Sequence, residues 1–271
     1  MDTMEIAGQS LSLSRWPQRK QDTLRAWDAA DEYVLDEVLK HDKPGRVLLV
    51  NDGFGALACA LASLEPVVWS DSVIARQATE VNLLANELPV LKPERFVPMH
   101  LTPPPFDCLL IKIPRSLALL EYQLQQLRPL MQADTKIIAA AMLKYLPKAA
   151  IELFEKIIGP TTTSLAKKKA RLVYATLAEH GPGAAEALAK QAADTALPVS
   201  HHFKILDDAL SIGSHPGVFS YGKLDVGSRF LLEHFPTLPQ ASSAIDMACG
   251  NGVLGIALQH LQPDVRLRFC D

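Results

Sequence analysis

Two segments of the chain, about 200 residues apart, repeat one local pattern. In residues 46–71 and again in residues 244–271, an apolar stretch leads through closely spaced glycines into an alanine- and leucine-rich run and ends at an aspartate. A strand that passes through a glycine turn into a helix is the opening of a nucleotide-binding βαβ unit. Because the chain contains this opening twice, we predict an α/β protein of two units with doubly wound, mainly parallel sheets.

Composition narrows the class of protein. Apolar residues make up 48% of the chain and charged residues 21%, which is enough apolar material for a buried core. The net charge of −3 gives no global field for nucleic acid, so any RNA contact would depend on local patches. The four cysteines lack metal-ligand spacing, the N-terminus is too polar for a signal peptide, and no apolar run has membrane-spanning length. These features predict a soluble cytoplasmic protein with no metal site and no membrane partner.

Apolar periodicity divides the chain into two domains and a linker. Short apolar strands alternate with helical segments through residues 1–178, which is typical of a parallel sheet covered on both faces. The predicted helices of this first domain span residues 22–41, 56–64, 72–88, 116–130 and 147–158. Residues 179–200 are rich in glycine, proline and alanine and are predicted to form the linker. Residues 201–271 are predicted to open with a hairpin and to form the start of a second domain that this chain does not complete.

The second glycine turn carries the most informative polar residues. Gly250, Gly252 and Gly255 form a G-x-G-x-x-G pattern between a predicted strand and a predicted helix, where glycines let a ligand approach the backbone. Asp271 follows the next strand, where a carboxylate can accept hydrogen bonds from ribose hydroxyls. Asp246 lies on the first strand, where an acid suits a cationic ligand and repels a pyrophosphate. The pattern therefore favours S-adenosylmethionine, with its sulfonium and ammonium groups, over NAD.

The first copy keeps the glycines but differs in its acids. Gly53 and Gly55 repeat the glycine spacing, and Asp71 is interpreted as the terminal acid of the pattern. Leu49, however, stands where the second copy has Asp246, so the acid on the strand is missing.

A second departure of the first copy lies further along the chain. Amino-group methyltransferases usually end their fourth strand with Asn-Pro-Pro-Phe, whose asparagine oxygen accepts a hydrogen bond from the amine and orients it for methylation. The matching strand here leads into Lys112-Ile-Pro-Arg115. Because a lysine ammonium has donors and no acceptor, it cannot do that task. We predict that the first domain has lost methyl transfer and serves to hold the substrate.

Several phrases along the chain resemble one family. The chain is similar to the bacterial ribosomal-RNA guanine-N2 methyltransferases of the RsmC/RlmG type, and phrases of its first half favour the RlmG branch, which methylates 23S rRNA. The phrases that carry the resemblance include residues 27–33, 51–57, 109–114, 117–121, 152–156, 159–163, 167–171, 217–220 and 224–228.

The resemblance implies a fold, a cofactor and a set of site residues. Members are similar in having two tandem Rossmann-like methyltransferase folds, of which only the C-terminal one is active. By this resemblance the S-adenosylmethionine pocket would be lined by Asp246, Gly250, Asn251, Gly252 and Asp271, and Phe219, Asp225, Gly227 and Ser228 would help to close it. The N-terminal domain would recognise 23S rRNA.

The chain departs from the family in one large way, because it has no Asn-Pro-Pro-Phe. Family members continue well beyond Asp271, so the catalytic residues are expected outside this chain. As it stands, the chain is expected to lack activity even though the parent protein is an enzyme.

Two groups of cations are candidates for contact with rRNA phosphates. The densest is Lys167, Lys168, Lys169 and Arg171, which equally fits a solvated loop beside the last strand of the first domain. The other is Lys112 and Arg115, at the mouth of the site that has lost methyl transfer.

Two other functions stay open at this point. The chain would be a non-catalytic RNA-binding scaffold in its own right if residues 1–190 bind rRNA with an affinity that depends on salt. It would be an NAD-dependent oxidoreductase if the second glycine turn binds NADH.

Overall fold

The computed structural model describes residues 2–18, 23–40, 44–91, 105–178, 199–205 and 208–271. The chain divides into two compact units, Met1–Ala189 and Lys190–Asp271. Most of the predicted linker, residues 179–198, lies outside the described residues. Its last two residues, Val199 and Ser200, already belong to the first strand of the second unit.

The first unit is built on a six-stranded sheet. A hairpin of β1 (Asp2–Ile6) and β2 (Gln9–Leu13) precedes it. The strands of the sheet are β3 (Val47–Val50), β4 (Val67–Trp69), β5 (Cys108–Lys112), β6 (Lys136–Met142), β7 (Thr161–Thr163) and β8 (Ala170–Ala175). Their order is β4-β3-β5-β6-β8-β7, with β4, β3, β5 and β6 parallel and β8 antiparallel to both of its neighbours.

The central strand β3 shows why its sequence is apolar without interruption. All four of its residues are buried. Val47 and Leu49 belong to one hydrophobic cluster, and Leu48 and Val50 belong to the other. A strand that is buried on both faces needs apolar side chains at every position, which is the pattern expected of a parallel sheet covered by helices on both sides.

Within the described residues, five α-helices cover the two faces of this sheet. They are α1 (Ala29–Leu39), α2 (Ala56–Ala60), α3 (Val73–Ala85), α4 (Leu117–Leu127) and α5 (Lys148–Ile157). Side chains of α1, α2 and the hairpin pack in one cluster, and side chains of α4 and α5 pack in the other. The predicted doubly wound α/β fold is therefore confirmed, with β7 as a strand that the sequence did not indicate.

Helix α1 begins later than the predicted residue 22 because of a capping box. The Asp28 carboxylate accepts hydrogen bonds from the backbone N–H groups of Ala30 and Asp31, at 2.8 and 3.3 Å. In return, the Asp31 carboxylate accepts one from the backbone N–H of Asp28 at 2.8 Å. Reciprocal bonds of this kind fix a helix N-terminus, so the helix begins at Ala29 although the apolar spacing starts earlier.

The second unit is smaller and has its own core. It contains the hairpin β9 (Val199–Ile205) and β10 (Asp208–Ser214), helix α6 (Val226–Glu233), strand β11 (Ser243–Met247), helix α7 (Val253–Leu261) and strand β12 (Arg266–Cys270). Strands β11 and β12 are parallel, as a βαβ unit requires. In neither unit does a described helix combine the length and the apolar character needed to cross a membrane.

The two strand–turn–helix segments share a backbone conformation. Gly55 and Gly252 are the N-cap residues of α2 and α7, and both are left-handed, with φ of 81° and 76°. Asn51 and Ala248, four residues earlier in each copy, are left-handed as well, with φ of 62° and 56°. The alignment of the copies on their glycines is therefore also an alignment of their backbones.

We predict that Gly55→Ala destabilises the protein much more than Gly53→Ala. An added Cβ at Gly55 would lie 2.6 Å from the Cα of Thr79, in a conformation that side chains rarely adopt. Left-handed strain and the clash together should lower the free energy of unfolding by about 2 kcal/mol or more. At Gly53 nothing lies within 4 Å of the added atom, so the change should be below about 0.5 kcal/mol. Urea unfolding followed by circular dichroism measures both, and equal losses would contradict the packing described for Gly55.

Candidate functional site

The glycine turn of the second unit leaves its backbone accessible at Gly250. Gly250 and Gly252 are both left-handed, and the backbone N–H of Gly252 donates to the Cys249 carbonyl at 2.8 Å to close the turn. An added Cβ at Gly250 would meet nothing closer than Phe219, at 3.9 Å. Phe219 is itself 72% exposed. The structure thus brings Phe219 to the turn, which keeps an open face, and the part of Phe219 in closing a cofactor pocket stays a prediction.

Asp246 lies at the base of this turn and contacts helix α7. Its Oδ2 accepts a hydrogen bond from the backbone N–H of Gly255 at 2.8 Å, and the residue is only 9% exposed. A Cβ at Gly255 would lie 2.4 Å from a ring carbon of Phe269 and 3.1 Å from Asp246 Oδ2. The third glycine of the pattern therefore allows the strand carboxylate and the helix to approach each other. In the described contacts Asp246 uses only one of its two oxygens.

Asp271 and Asn251 lie beside the same turn. The backbone N–H of Cys249 donates to the carbonyl of Cys270 at 3.1 Å, so Asp271 follows directly at this edge of the sheet. Asn251 bonds in two directions: its Oδ1 accepts from the backbone N–H of Val253 at 3.2 Å, and its Nδ2 donates to Ser214 Oγ at 3.3 Å. Asn251 therefore ties the turn to the hairpin of the second unit.

The remaining predicted residues of this pocket form a helix cap. Asp225 Oδ2 accepts hydrogen bonds from the backbone N–H groups of Gly227 and Ser228, at 2.9 and 3.2 Å. This cap explains why α6 begins at Val226, earlier than the predicted Arg229. The contribution of these three residues to closing a cofactor pocket remains a prediction.

The residues around the second turn suit S-adenosylmethionine chemically. Two carboxylates, Asp246 and Asp271, lie at one edge of the β11–β12 sheet, next to an open left-handed glycine turn. Carboxylates are acceptors for ribose hydroxyls and favourable neighbours for a cation. The negative charge of a diphosphate in the same place would be repelled by the Asp246 carboxylate.

The first unit has a buried carboxylate at the corresponding place. Asp52, 1% exposed, accepts hydrogen bonds from the backbone N–H groups of Gly55 and Ala58, at 3.0 and 2.8 Å. Ala58 corresponds to Gly255 of the second copy. Asp52 and Asp246 therefore accept hydrogen bonds from equivalent backbone nitrogens of α2 and α7. The strand of the first copy has Leu49 in place of an acid, but the copy does not lack a carboxylate at this point of the structure. Asp52, three residues further along the chain, provides it.

The environment of Asp52 disfavours its charged form. Burial raises the pKa of Asp52 to about 6, and the nearby Asp31 carboxylate adds to the increase. The hydrogen bonds from Ala58 and Gly55 and the charge of Lys112 act in the opposite direction and are weaker in sum. Unlike an ordinary surface aspartate, Asp52 therefore takes up a proton as the pH falls through about 6.

The aspartate that ends the repeated pattern lies one residue later in the first copy than in the second. Val50 pairs with Trp69 in the first unit, and the equivalent Met247 pairs with Cys270 in the second. The residue after Trp69 is Ser70, which therefore corresponds to Asp271. Asp71 lies one residue beyond, so the first copy has a serine where the predicted ribose-binding acid would be.

The floor of the first site is closed by side-chain amides. Asn51 Nδ2 donates to the Lys112 carbonyl at 3.0 Å and to Gln123 Oε1 at 2.8 Å. Gln123 Nε2 donates to Asn51 Oδ1 at 2.8 Å, and Gln123 is fully buried. The amide acceptors at this edge of the sheet are thus already bonded inside the protein.

Lys112, which is largely buried, forms an ion triad with one half-exposed and one buried carboxylate. Its Nζ lies 2.8 Å from carboxylate oxygens of both Asp28 and Asp31, and its side chain is 16% exposed. Burial lowers the pKa of Lys112, but the two carboxylates more than offset this and hold it above its ordinary value. Burial raises the pKa of Asp31 despite the attraction of Lys112. The Lys112 charge is paired inside the unit, and its contact with an RNA phosphate stays a prediction.

Arg115, the partner of Lys112 in that prediction, is exposed. Its guanidinium carbon lies 4.1 Å from the centre of the Tyr145 ring, and its Nη2 donates to the Tyr145 hydroxyl at 2.8 Å. Arg115 is the member of the pair that an external anion can reach.

The lysine cluster forms a tight turn whose charges are partly neutralised. Backbone hydrogen bonds in both directions join Lys167 and Ala170, and the two residues between them, Lys168 and Lys169, have φ of 49° and 63°. Positive φ at both central residues defines a type I′ turn. Lys167 forms an ion pair with Asp36, and Lys168 forms one with Glu32 at 2.7 Å. Lys169 is exposed, and the side chain of Arg171 is partly buried.

The fold places the protein in the class of Rossmann-like α/β proteins, which includes methyltransferases of known structure. A solved structure of similar fold is the T. thermophilus 16S rRNA N2 methyltransferase RsmC, in complex with AdoMet and guanosine, with a TM-score of 0.65 and 17% identity. The match covers 98% of this chain and 67% of that one. At this level of identity the likeness concerns the fold.

Sequence comparisons then give the family. Residues 1–179 match the RLMG N-terminal domain, and residues 209–271 match the methyltransferase small domain. The chain is 40% identical to the ribosomal RNA large subunit methyltransferase G of Klebsiella pneumoniae over its whole length, and 38% identical to that of Streptomyces griseus over 97% of it. Both matches cover 68% of the relative's length. The chain belongs to the ribosomal RNA large subunit methyltransferase G family, whose members depend on S-adenosylmethionine.

We predict that Asp52 makes the stability of the protein depend on pH. Its folded-state pKa is raised above the unfolded value of 3.8, so the folded protein binds this proton more tightly. The resulting stabilisation is full below the unfolded pKa and is lost as the pH rises through about 6. The free energy of unfolding of the wild type, relative to Asp52→Asn, should therefore fall between about pH 5 and about pH 7. Urea unfolding of both proteins at the two pH values tests this, and a constant difference would rule it out.

Proposed function

We propose that the protein transfers a methyl group from S-adenosylmethionine to the exocyclic N2 of a guanine in 23S rRNA, in the cytoplasm. The second unit would bind the cofactor, and the first unit would hold the RNA. Membership of the large-subunit family supports the reaction class, and the likeness of the fold to an N2 methyltransferase is consistent with the guanine.

One observation carries the division of roles between the units. The second unit has a glycine turn that is open at Gly250, with Asp246 and Asp271 beside it. At the corresponding edge of the first sheet, Asn51 is bonded to Gln123, and Lys112 is bonded to two carboxylates. An external cofactor therefore meets two carboxylates beside the turn of the second unit, whereas the first unit has Ser70 in the place of Asp271 and its amide acceptors are bonded within the protein.

The residues of the second unit would act by binding and orienting. Asp271 would accept hydrogen bonds from the ribose, and Asp246 would offer its second carboxylate oxygen to the cationic part of the cofactor, with Asn251 holding the turn and Phe219 covering it. When bound, S-adenosylmethionine supplies an activated methyl group, which an amine with an available lone pair can accept. Positioning of the two reactants lowers the barrier to a reaction of this kind.

A titration of S-adenosylhomocysteine tests the cofactor site. Asp246→Asn should weaken binding at least tenfold, about 1.4 kcal/mol, because the carboxylate charge beside the ammonium group, the cation that S-adenosylhomocysteine shares with S-adenosylmethionine, is lost. The asparagine oxygen can still accept from Gly255, so the turn should stay folded. Asp271→Asn, which keeps an acceptor but loses charge, should weaken binding less.

The matched control is Asp264→Asn, an exposed aspartate in the turn before β12. It should leave the affinity unchanged in isothermal calorimetry. If Asp246→Asn binds as tightly as the control, or if NADH binds at the turn in place of S-adenosylhomocysteine, the cofactor assignment is wrong.

The base and the RNA are tested separately from the cofactor. Disruption of the gene should abolish one N2-methylguanosine in 23S rRNA, as measured by mass spectrometry of RNA fragments from the mutant and parent strains. An unchanged set of N2-methylguanosines in 23S rRNA would reject the proposed target, and the calorimetry would still report on the cofactor.

A further inference from the structure

A cavity of about 510 Å³ opens at the edge of the first sheet where its parallel strands end. The loop after β3, the residues after β5 and the segment that leads into α1 form its walls. Its lining includes four cationic side chains against two carboxylates. The arginines and aromatic residues of the lining are Arg15, Arg25, Trp27, Phe54, Arg115 and Tyr145.

Each arginine of this cavity lies over an aromatic ring. The guanidinium carbon of Arg25 is 5.4 Å from the centre of the Trp27 ring, and that of Arg115 is 4.1 Å from the Tyr145 ring. Arg15 lies 5.1 Å from the Phe54 ring in the same way. A guanidinium has a planar face and in-plane donors, which suit a nucleobase and a phosphate respectively, and contact with a ring helps to hold it in place.

The polar groups at the floor of the cavity are paired with one another, which disfavours a cationic ligand. Lys112 is neutralised by Asp28 and Asp31, and Asn51 is paired with Gln123. A cationic cofactor would find its potential acceptors already bonded and arginines at the rim. An anion with an aromatic ring meets the opposite situation, since the rim supplies positive charge and flat surfaces.

The cavity is connected to the lysine turn through one side chain. Glu32 Oε1 accepts a hydrogen bond from Trp27 Nε1 at 3.1 Å, and Glu32 Oε2 accepts one from Lys168 Nζ at 2.7 Å. Trp27 forms a wall of the cavity, and Lys168 belongs to the type I′ turn. The arginine cavity and the lysine turn are therefore neighbouring parts of one surface of the first unit.

We propose that this cavity holds one nucleotide of single-stranded RNA. The phosphate would face Arg25 and Arg115, and the base would stack on a guanidinium or aromatic face. Unpaired bases are bound in this way by many RNA-binding proteins, because a duplex does not expose its base faces. The inference rests on the proposed function, in which the first unit holds the RNA, and it names the place and the unpaired state of the nucleotide.

The test is the fluorescence anisotropy of a labelled single-stranded RNA oligonucleotide, titrated with the wild type and with an Arg25→Ala/Arg115→Ala double variant. The double variant should bind at least tenfold more weakly. A plot of the logarithm of the binding constant against the logarithm of the salt concentration should also be less steep for the double variant. Its slope should be smaller in magnitude by about 0.7 for each phosphate that the variant no longer neutralises. A duplex of the same sequence should bind the wild type more weakly than the single strand does.

The matched control is Arg76→Ala, an exposed arginine on α3 that is paired with Glu80. It removes one positive charge from the same unit but lies outside the residues that line the cavity, and it should bind RNA as the wild type does. Thermal unfolding of all variants checks that they are folded.

Three results would overturn the proposal. The first is equal RNA affinity of the double variant and the control, with an unchanged titration of S-adenosylhomocysteine, in which case the cavity assignment fails and the proposed function stands. The second is a wild type with no affinity for the oligonucleotide or for 23S rRNA, which would reject the RNA-holding role of the first unit as well. The third is a second binding site for S-adenosylhomocysteine that the double variant loses, which would make the cavity a cofactor site.

Discussion

Both units depend on one backbone constraint, the left-handed glycine between a buried strand and a helix. Gly55 and Gly252 reverse the chain so tightly that the first helical nitrogens point back at the end of the preceding strand. A buried carboxylate can then accept hydrogen bonds from those nitrogens, as Asp52 and Asp246 do. Without a left-handed residue at this point, the helix would leave the sheet in another direction, and no site would form at the strand ends.

What differs between the units is the use of the polar groups around this turn. In the first unit an asparagine–glutamine pair and a lysine with two aspartates satisfy one another inside the protein. Buried polar groups need hydrogen-bond partners. Because these groups bond to one another, they are not available to bind a ligand. In the second unit Asp271 follows the strand beside the turn, where the first unit has Ser70. The same turn therefore adjoins an internal polar network in the first copy and a carboxylate suited to a ribose in the second.

Much of the fold followed from local pattern. The buried parallel strands, the glycine turns and the hairpin of the second unit were predictable because each depends on the residues within it. The start of α1 was not, since a capping box at Asp28 overrides apolar spacing. Strand β7 was not, because three threonines have too little apolar character to indicate a strand.

The site was less predictable because its contacts join distant parts of the chain. Lys112 lies 84 residues from Asp28, so nothing in its sequence neighbourhood indicates that its charge is neutralised. The register of β4 against β3 places Ser70 where the repeated pattern predicts Asp71, and a shift of one residue is invisible without the paired strand. The stacking of Arg25 and Arg115 on aromatic rings likewise depends on tertiary packing.

The two carboxylates that bind the first helix have a consequence for how such copies are compared. Asp246 belongs to its strand and Asp52 to its turn, so they never share a column when the copies are aligned by residue, yet each accepts from the same helix nitrogen. An alignment scores this as the loss of one acid and the unrelated gain of another. In physical terms the acceptor has been kept while its point of attachment to the backbone has moved. Divergence between repeated units is therefore better judged by which atoms are bonded than by which letters coincide.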